Sequence, residues 1–482
     1  MVCTFAAILI HGYHLGIEDQ AIYLPGVRFD LNGALYPHDA EFFLPQVRPT
    51  LIDEICAWTS RYAHISVAAS VFFWHLLSVF LLLWAGLRIA RRCFAREREA
   101  WAGVALLTVL LTIPVTGTAL YIVDQYLHPR TLATAFILFA IPDVMEKKWV
   151  RSTALVVLAA VVHIQMAFFG AGFLVFLVGV EWLAKTPRFG KSPNMGHPVM
   201  FAFPLASLFE RGSPAWREAM LTRDQHFLLK WQWYEWVGIF APLALLWWIG
   251  NLTSEDERAD AVRRTICRAL FWYGSFCFVV AMMVTIPQKL ERLTPYQPMR
   301  GFHLLYLLLF LFLGGLVFER VLRGRVWVYG LLLAVTAGGM FAAQRDLFSG
   351  TRHIEWPGAD TGNRWVRAFV WIRENTPQNA YFAIDPRYMQ KRGEDEHGFR
   401  AWAERSVLAD WDKDPGVVCL FPAIAGKWQE QVHAQDDLLP KGREGLLELQ
   451  KRFGADWVIG DRRMGLTDCP YQKDGIYVCR IE

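Results

Sequence analysis

Long apolar runs separated by short charged connections constrain this chain more than any other feature of its sequence. Eight runs approach the roughly 20 apolar residues that a membrane-spanning helix needs. They lie near residues 66–87, 101–122, 130–145, 150–183, 231–250, 265–287, 302–319 and 326–343. A shorter run from Val2 to Tyr13 is either a truncated first helix or a signal-like segment. No cleavage site with small residues follows it, which favours the helix. We therefore expect an α-helical polytopic membrane protein with about nine spans.

Charged residues are concentrated near the C-terminus. Residues 351–482 hold 40 of the 94 charged side chains, although they make up little more than a quarter of the 482 residues. The formal net charge of +4 is too small to indicate a nucleic-acid-binding protein. The distribution predicts a transmembrane domain over residues 1–345 and a water-soluble domain over residues 351–482.

The pattern of this C-terminal part, called the tail below, predicts a small α/β domain. Helical periodicity spans Asn363–Glu374 and Gly445–Phe453, and apolar strand patterns span Ala380–Ile384, Asp456–Ile459 and Ile476–Ile481. Cys469 and Cys479 flank a turn-like stretch and can face each other on a hairpin. A disulfide between them requires an oxidising compartment.

The distribution of Lys and Arg between the predicted spans indicates an orientation, since cytoplasmic connections are enriched in these residues. The connections at 88–98, 146–151, 251–268 and 319–325 carry 15 Lys and Arg in 42 residues, whereas those at 16–65, 121–130, 184–226 and 287–301 carry 13 in about 118. The first set is expected in the cytoplasm. This predicts a cytoplasmic N-terminus and an external tail.

The first external connection carries two acidic clusters, one at Glu18 and Asp19 and one at His38 and Asp39. Acidic groups beside a bilayer are costly unless they are solvated, paired or used. A carboxylate at this boundary can accept a proton from a sugar hydroxyl. Alternatively, Glu18 and Asp19 cap a short helix that begins near Gln20.

The second external connection, residues 121–130, places Asp124, His128 and Arg130 between two spans. Arg130 is a candidate phosphate ligand because a guanidinium can bind phosphate with two hydrogen bonds. It can equally pair with Asp124 or extend its charged end to the membrane surface.

The third external connection, residues 288–300, includes Arg292, Gln297 and Arg300. A basic external segment runs against the usual charge bias, and a lipid phosphate leaving group would explain it. His163, inside the run at 150–183, is expected to face a cavity or to form a hydrogen-bonded packing pair with Gln165.

This arrangement resembles the C-type glycosyltransferase superfamily, whose multi-spanning members use sugars linked to polyprenyl phosphate. The resemblance rests on the acidic first external loop, the short connection that ends in Pro129-Arg130, and a soluble tail that begins with a helix and the sequence from Trp371 to Pro377. It is similar to bacterial members of unassigned function.

The resemblance implies an inverting transfer of sugar from a polyprenyl-phosphate donor to an unknown acceptor at the external face of an inner membrane, with the tail in the periplasm. Asp19 or Glu18 would be the base, and Asp39 the other loop acid. Arg130, Arg292 and Arg300 would contact phosphate, and Arg405 in the tail would contact the acceptor. The remaining substrate contacts would come from His38, Asp124, His128, His163 and Gln297. The loop lacks the DxD pattern of metal-dependent members, so a divalent metal is not indicated.

Two other functions stay open at this point. A transporter or lipid flippase would carry ionisable groups at mid-membrane depth and an internal repeat, and of these only His163 is present. A non-enzymatic membrane scaffold would bind a partner protein through the tail.

Overall fold

The computed structural model describes residues 1–185, 211–391, 393–394 and 396–481 of the chain, which are mostly helical. The helices of the first part are α1 (Val2–His11), α2 (Gln20–Leu31), α3 (Leu44–Val47), α4 (Ile52–Ala63), α5 (Val67–Cys93), α6 (Glu97–Val109), α7 (Pro129–Met145), α8 (Trp149–Val162), α9 (Ile164–Lys185), α10 (Pro214–Leu221), α11 (Trp233–Gly250), α12 (Glu257–Thr285), α13 (Phe302–Leu316) and α14 (Val326–Leu347).

Five helical stretches among the described residues are long and apolar enough to cross a membrane. They are Val67–Cys93, Ile164–Ala184, Glu257–Thr285, Lys289–Val321 and Val326–Leu347. α13 lies inside the protein, whereas nearly all of α14 is exposed to its surroundings. The five stretches support a membrane protein, and the expected number of about nine spans is not confirmed.

Two of the expected spans are interrupted. The apolar run at 150–183 divides into α8 and α9 at His163, which has extended backbone geometry. The run at 101–122 forms only the short helix α6, after which the chain turns back, with Val115 donating to the carbonyl of Leu120 at 2.7 Å and Val123 to that of Leu111 at 2.7 Å. Pro114 lies in this turn and cannot continue a helix. Hydrophobicity predicted the apolar runs but not these breaks.

The connections rich in Lys and Arg contact one another. Arg92 in the last turn of α5 pairs with Glu146 after α7, Arg96 pairs with Glu255 before α12 at 3.1 Å, and Arg320 after α13 donates to the carbonyl of Thr253. The four basic connections therefore share one face of the helical part, as the charge pattern predicts.

The tail contains a five-stranded sheet with helices packed against it. Its helices are α15 (Arg364–Asn375), α16 (Phe399–Ala403), α17 (Asp414–Leu420), α18 (Ala425–Leu438) and α19 (Arg443–Phe453), and its strands are β1 (Tyr381–Ile384), β2 (Ser406–Val407), β3 (Trp457–Gly460), β4 (Tyr471–Lys473) and β5 (Ile476–Arg480). The strand order is β2-β1-β3-β5-β4, with β1 parallel to β2 and β3, and β5 antiparallel to β3 and β4. This confirms the helices and strands predicted in the tail. Cys469 and Cys479 form a disulfide, as their spacing allowed.

The first connection and the tail meet along a hydrogen-bonded seam. Gly398 donates to the carbonyl of Gly16 at 2.8 Å, and the Trp402 indole donates to the carbonyl of Leu15 at 3.0 Å. Buried Glu355 accepts hydrogen bonds from His14 at 3.0 Å and His397 at 3.1 Å. The seam fixes the acidic loop against the tail.

Candidate functional site

Glu18 and Asp19 lie side by side at the start of α2, where the first connection, the second connection and the tail meet. Their side chains remain 36% and 44% exposed, although other protein groups surround them. Asp19 occupies the cap position of α2, but its carboxylate makes no capping hydrogen bond. Glu18 has a left-handed backbone with φ of 48°, a strained geometry that clusters at functional sites. The two carboxylates are therefore partly open to solvent and do not cap the helix.

Asp19 forms a pair with His128 of the second connection. The Oδ2 atom of Asp19 lies 3.3 Å from Nε2 of His128, and Nδ1 of His128 accepts a hydrogen bond from the backbone of Arg130 at 3.0 Å. The neutral imidazole must therefore carry its proton on Nε2 and donate it to Asp19. Burial acts to raise the pKa of Asp19, but the hydrogen bond from His128 and the positive charges of Lys413 and Arg130 outweigh it and hold the pKa well below its usual range. Asp19 is thus an anion at any physiological pH.

Glu18 has a different environment, set by a lysine of the tail. The Lys413 ammonium lies 2.6 Å from Glu18 and 3.0 Å from Glu396. Burial raises the pKa of Glu18 to about 7, aided by the negative charge of Glu396 and opposed by Lys413. Burial acts to lower the pKa of Lys413, but the two carboxylates outweigh it, so the lysine remains protonated. The adjacent acids therefore differ, since Asp19 stays ionised while Glu18 titrates near neutral pH.

Arg300 supplies a positive charge beside these acids. Its guanidinium donates to the side-chain oxygens of Gln297 at 2.7 Å and Gln165 at 2.8 Å, and it lies close enough to interact electrostatically with Asp19 and Tyr23. Within the described part of the chain, no carboxylate lies within ion-pair distance of Arg300. An arginine held by two neutral amides keeps its charge available for an anion.

Arg130 is less available than Arg300. Its guanidinium donates to both oxygens of Asp124, at 2.8 and 2.6 Å, and both side chains are 3% exposed. The structure therefore shows the alternative in which Arg130 pairs with Asp124. His163 stacks on the ring of His128 with centroids 5.8 Å apart, while Gln165 bonds to Arg300 and to the carbonyl of Tyr296. The expected His163–Gln165 packing pair does not form.

Asp39 and His38 contact the tail. Arg400 donates to Oδ2 of Asp39 at 2.6 Å, the backbone of Val407 donates to the same oxygen at 3.0 Å, and Asp39 is 1% exposed. The His38 ring stacks on Tyr381 with centroids 4.7 Å apart. The expected roles of Asp39 in catalysis and His38 in substrate binding are therefore not supported by their position, because one side chain is buried in an ion pair and the other packs on the sheet.

Two further arginines have structural contacts. The Arg292 guanidinium lies 5.1 Å from the ring centre of Trp216 in α10. Arg405 donates to the carbonyls of Arg373 at 2.7 Å and Thr376 at 2.8 Å, which lie at the end of α15. The predicted roles of Arg292 in phosphate binding and Arg405 in acceptor binding therefore gain no support from these positions.

The residues of the site that the sequence did not identify are Lys413, Glu396 and Tyr23. Lys413 lies 395 positions from Glu18, in the charged run 410–414, which resembles any solvated surface segment. Tyr23 packs edge-on against His128 with centroids 5.3 Å apart. No local sequence pattern predicts a contact between Glu18 and Lys413, which are 395 positions apart.

Carboxylates with metal-ligand spacing occur elsewhere in the described residues. Asp30, Asp53 and Glu54 form the one such group, and neither Glu18 nor Asp19 belongs to it.

Residues 363–417 match the model of a domain of unknown function, DUF6798. The matched stretch contains Arg400 and Lys413, which contact Asp39 and Glu18 of the first connection, and Glu396, which pairs with Lys413. No curated protein matches the chain. The match covers a small part of the sequence, and it coincides with the part of the tail that completes the site.

Proposed function

We propose that this protein is a C-type membrane glycosyltransferase that moves a sugar from a polyprenyl-phosphate donor to an acceptor. The observation that carries the proposal is that two partly exposed carboxylates, Glu18 and Asp19, lie near Arg300, which has no carboxylate partner among the described residues. We further propose about nine spans, an inner-membrane location and an external tail.

Glu18 is the general base of the proposed reaction. A base is most effective when its pKa lies near the working pH, and the environment of Glu18 raises its pKa to about 7. The acceptor oxygen attacks the anomeric carbon of the donor and transfers its proton to the Glu18 carboxylate. The bond from the anomeric carbon to the phosphate oxygen breaks, its electron pair stays on the polyprenyl phosphate, and the configuration inverts.

Asp19 and Arg300 have supporting roles. The ionised Asp19, held by His128, accepts a hydrogen bond from a sugar or acceptor hydroxyl and orients it. Arg300 interacts with the phosphate as negative charge develops on it, which lowers the barrier when the cation is already in position. Lys413 keeps Glu18 in place and links the tail to the reaction.

The test is incubation of the purified full-length protein with a panel of polyprenyl-phosphate sugars and a membrane extract as the source of acceptors. Mass spectrometry should detect released polyprenyl phosphate and a glycosylated product of inverted configuration. The same donors in proteoliposomes distinguish the transporter. Movement of intact donor across the bilayer without a covalent product would contradict the proposal.

A further inference from the structure

Three carboxylates outside the site come together where the end of α2 meets the start of α4. Asp30 lies in the last turn of α2, and Asp53 and Glu54 lie in the first turn of α4. One oxygen from each lies within 4.8 Å of the other two. Two oxygens bound to the same Ca²⁺ at 2.3–2.6 Å are at most about 5 Å apart, so this spacing suits a single ion.

The cluster has unmet hydrogen-bonding capacity in its interior. Asp53 is 2% exposed, and its Oδ1 atom is buried without a hydrogen-bond partner, as is Oε2 of Glu54. A buried and unsatisfied carboxylate oxygen is costly unless it is protonated or bound to a cation. The partnerless oxygen of Asp53 therefore points to a bound cation, independently of the grouping of the acids.

Arg48 and Arg61 lie close enough to Asp30 to interact with its charge, but neither forms an ion pair with the cluster. Among the described residues, no Lys or Arg forms an ion pair with Asp30, Asp53 or Glu54. The Arg61 guanidinium contacts the backbone carbonyl of Asp30 at 3.4 Å and not its carboxylate. Three neighbouring negative charges repel one another, and a divalent cation removes this repulsion.

We propose that Asp30, Asp53 and Glu54 bind a divalent cation of the Ca²⁺ class and thereby fix the end of α2 to the start of α4. Oxygen-only ligands favour Ca²⁺ or Mg²⁺ over softer metals, and the spacing favours the larger Ca²⁺. The expected affinity is modest, about 10⁻⁵ to 10⁻³ M, because only three side chains contribute. The proposal does not depend on the proposed function.

The proposed cation would bind at the end of α2, the helix that begins beside Glu18 and Asp19. α2 begins next to Asp19 and carries Tyr23, which packs on His128. Tyr23 and Asp53 also line the same small cavity, of about 20 Å³. A cation that joins α2 to α4 therefore holds the helix from which the first-loop acids project.

The experiment uses full-length protein in detergent, stripped with EDTA and titrated with Ca²⁺. We expect about one bound Ca²⁺ per chain by equilibrium dialysis and a rise of roughly 3 °C in the unfolding midpoint. Asp53→Asn and Asp30→Asn should each weaken Ca²⁺ binding at least tenfold. Asp30 is exposed, so its variant folds even if Asp53→Asn does not.

The matched control is Asp360→Asn, which removes an exposed carboxylate of the tail that is paired with Arg367. This variant should bind Ca²⁺ as the wild type does. The proposal is overturned if millimolar Ca²⁺ neither binds nor shifts the midpoint of the wild type, or if Asp30→Asn binds Ca²⁺ unchanged.

Discussion

At the scale of single residues, Glu18 sets the pH dependence expected of the site. Burial raises its pKa to about 7, and a general base must be deprotonated to act. The transfer rate of the wild type should therefore rise as pH increases through about 7 and fall below it. Glu18→Gln should lower the rate by about 10²–10⁴ and abolish this pH step. Initial rates measured between about pH 5.5 and 8.5 check both effects.

Asp224→Asn is the control for this charge removal. Asp224 is an exposed carboxylate paired with Lys230 at 2.6 Å, so the variant should keep both the rate and the pH step. If Glu18→Gln keeps the step, another group titrates and Glu18 is not the base.

Glu355 stabilises the seam, and we expect this stabilisation to be lost in acid. Burial acts to raise its pKa, but His397 and His14 outweigh this and lower the pKa to about 2, against about 4.3 in an unfolded chain. The stabilisation is therefore complete above about pH 4.3 and is lost as pH falls toward 2. Glu355→Gln should cost roughly 1–3 kcal/mol at pH 7 and should reduce the loss of stability in acid.

Thermal unfolding midpoints at about pH 7, 5 and 3 test this prediction. Glu374→Gln is the control, because Glu374 is an exposed carboxylate at the end of α15. Equal midpoints for Glu355→Gln and the wild type at neutral pH would show that the buried contacts of Glu355 do not stabilise the seam.

The sequence could identify the acids of the site but not their partners. Glu18 and Asp19 stand out because two acids beside a membrane need an explanation. Lys413 reaches Glu18 across 395 positions, and such a contact depends on the tertiary fold. The ion pair of Asp39 was not predictable for the same reason, since its partner Arg400 lies 361 positions away.

At the scale of secondary structure, local patterns predicted the tail better than the membrane part. α15, α19 and strands β1, β3 and β5 follow periodicity and stop signals that lie within each segment. Hydrophobicity predicts burial in lipid or protein but carries little information about helix ends. The turn after α6 and the break at His163 were therefore missed.

The seam between the first connection and the tail depends on Gly16. Its φ is 73°, and a Cβ atom there would lie 2.7 Å from Nε1 of Trp402. Gly16→Ala should destabilise the protein by about 1–2 kcal/mol through the left-handed backbone and should also displace Trp402 from the carbonyl of Leu15. The expected result is a lower unfolding midpoint and faster proteolysis between the membrane part and the tail.

Gly33→Ala is the matched control, because no atom lies within 4 Å of a Cβ at Gly33. It should leave the midpoint and the proteolysis rate unchanged. If Gly16→Ala behaves like Gly33→Ala, the seam does not require close approach at Gly16.

At the scale of the whole molecule, the disulfide between Cys469 and Cys479 makes the orientation testable. Disulfides persist in oxidising compartments and are rare in the cytosol. With an external tail, both cysteines in denatured membranes should resist a maleimide reagent until a reductant is added. Cys419, a free cysteine of the same tail, should react without reductant and serves as the internal control. Immediate labelling of Cys469 and Cys479 would place the tail in the cytosol.

We propose that the first-loop acids, completed by the tail, carry out sugar transfer. The most direct test compares the release of polyprenyl phosphate by the wild type and by the double variant Glu18→Gln, Asp19→Asn under identical conditions. We predict release and a glycosylated product with the wild type, and a rate at least about 10²-fold lower with a folded double variant. A double variant that transfers sugar at the wild-type rate would contradict the account.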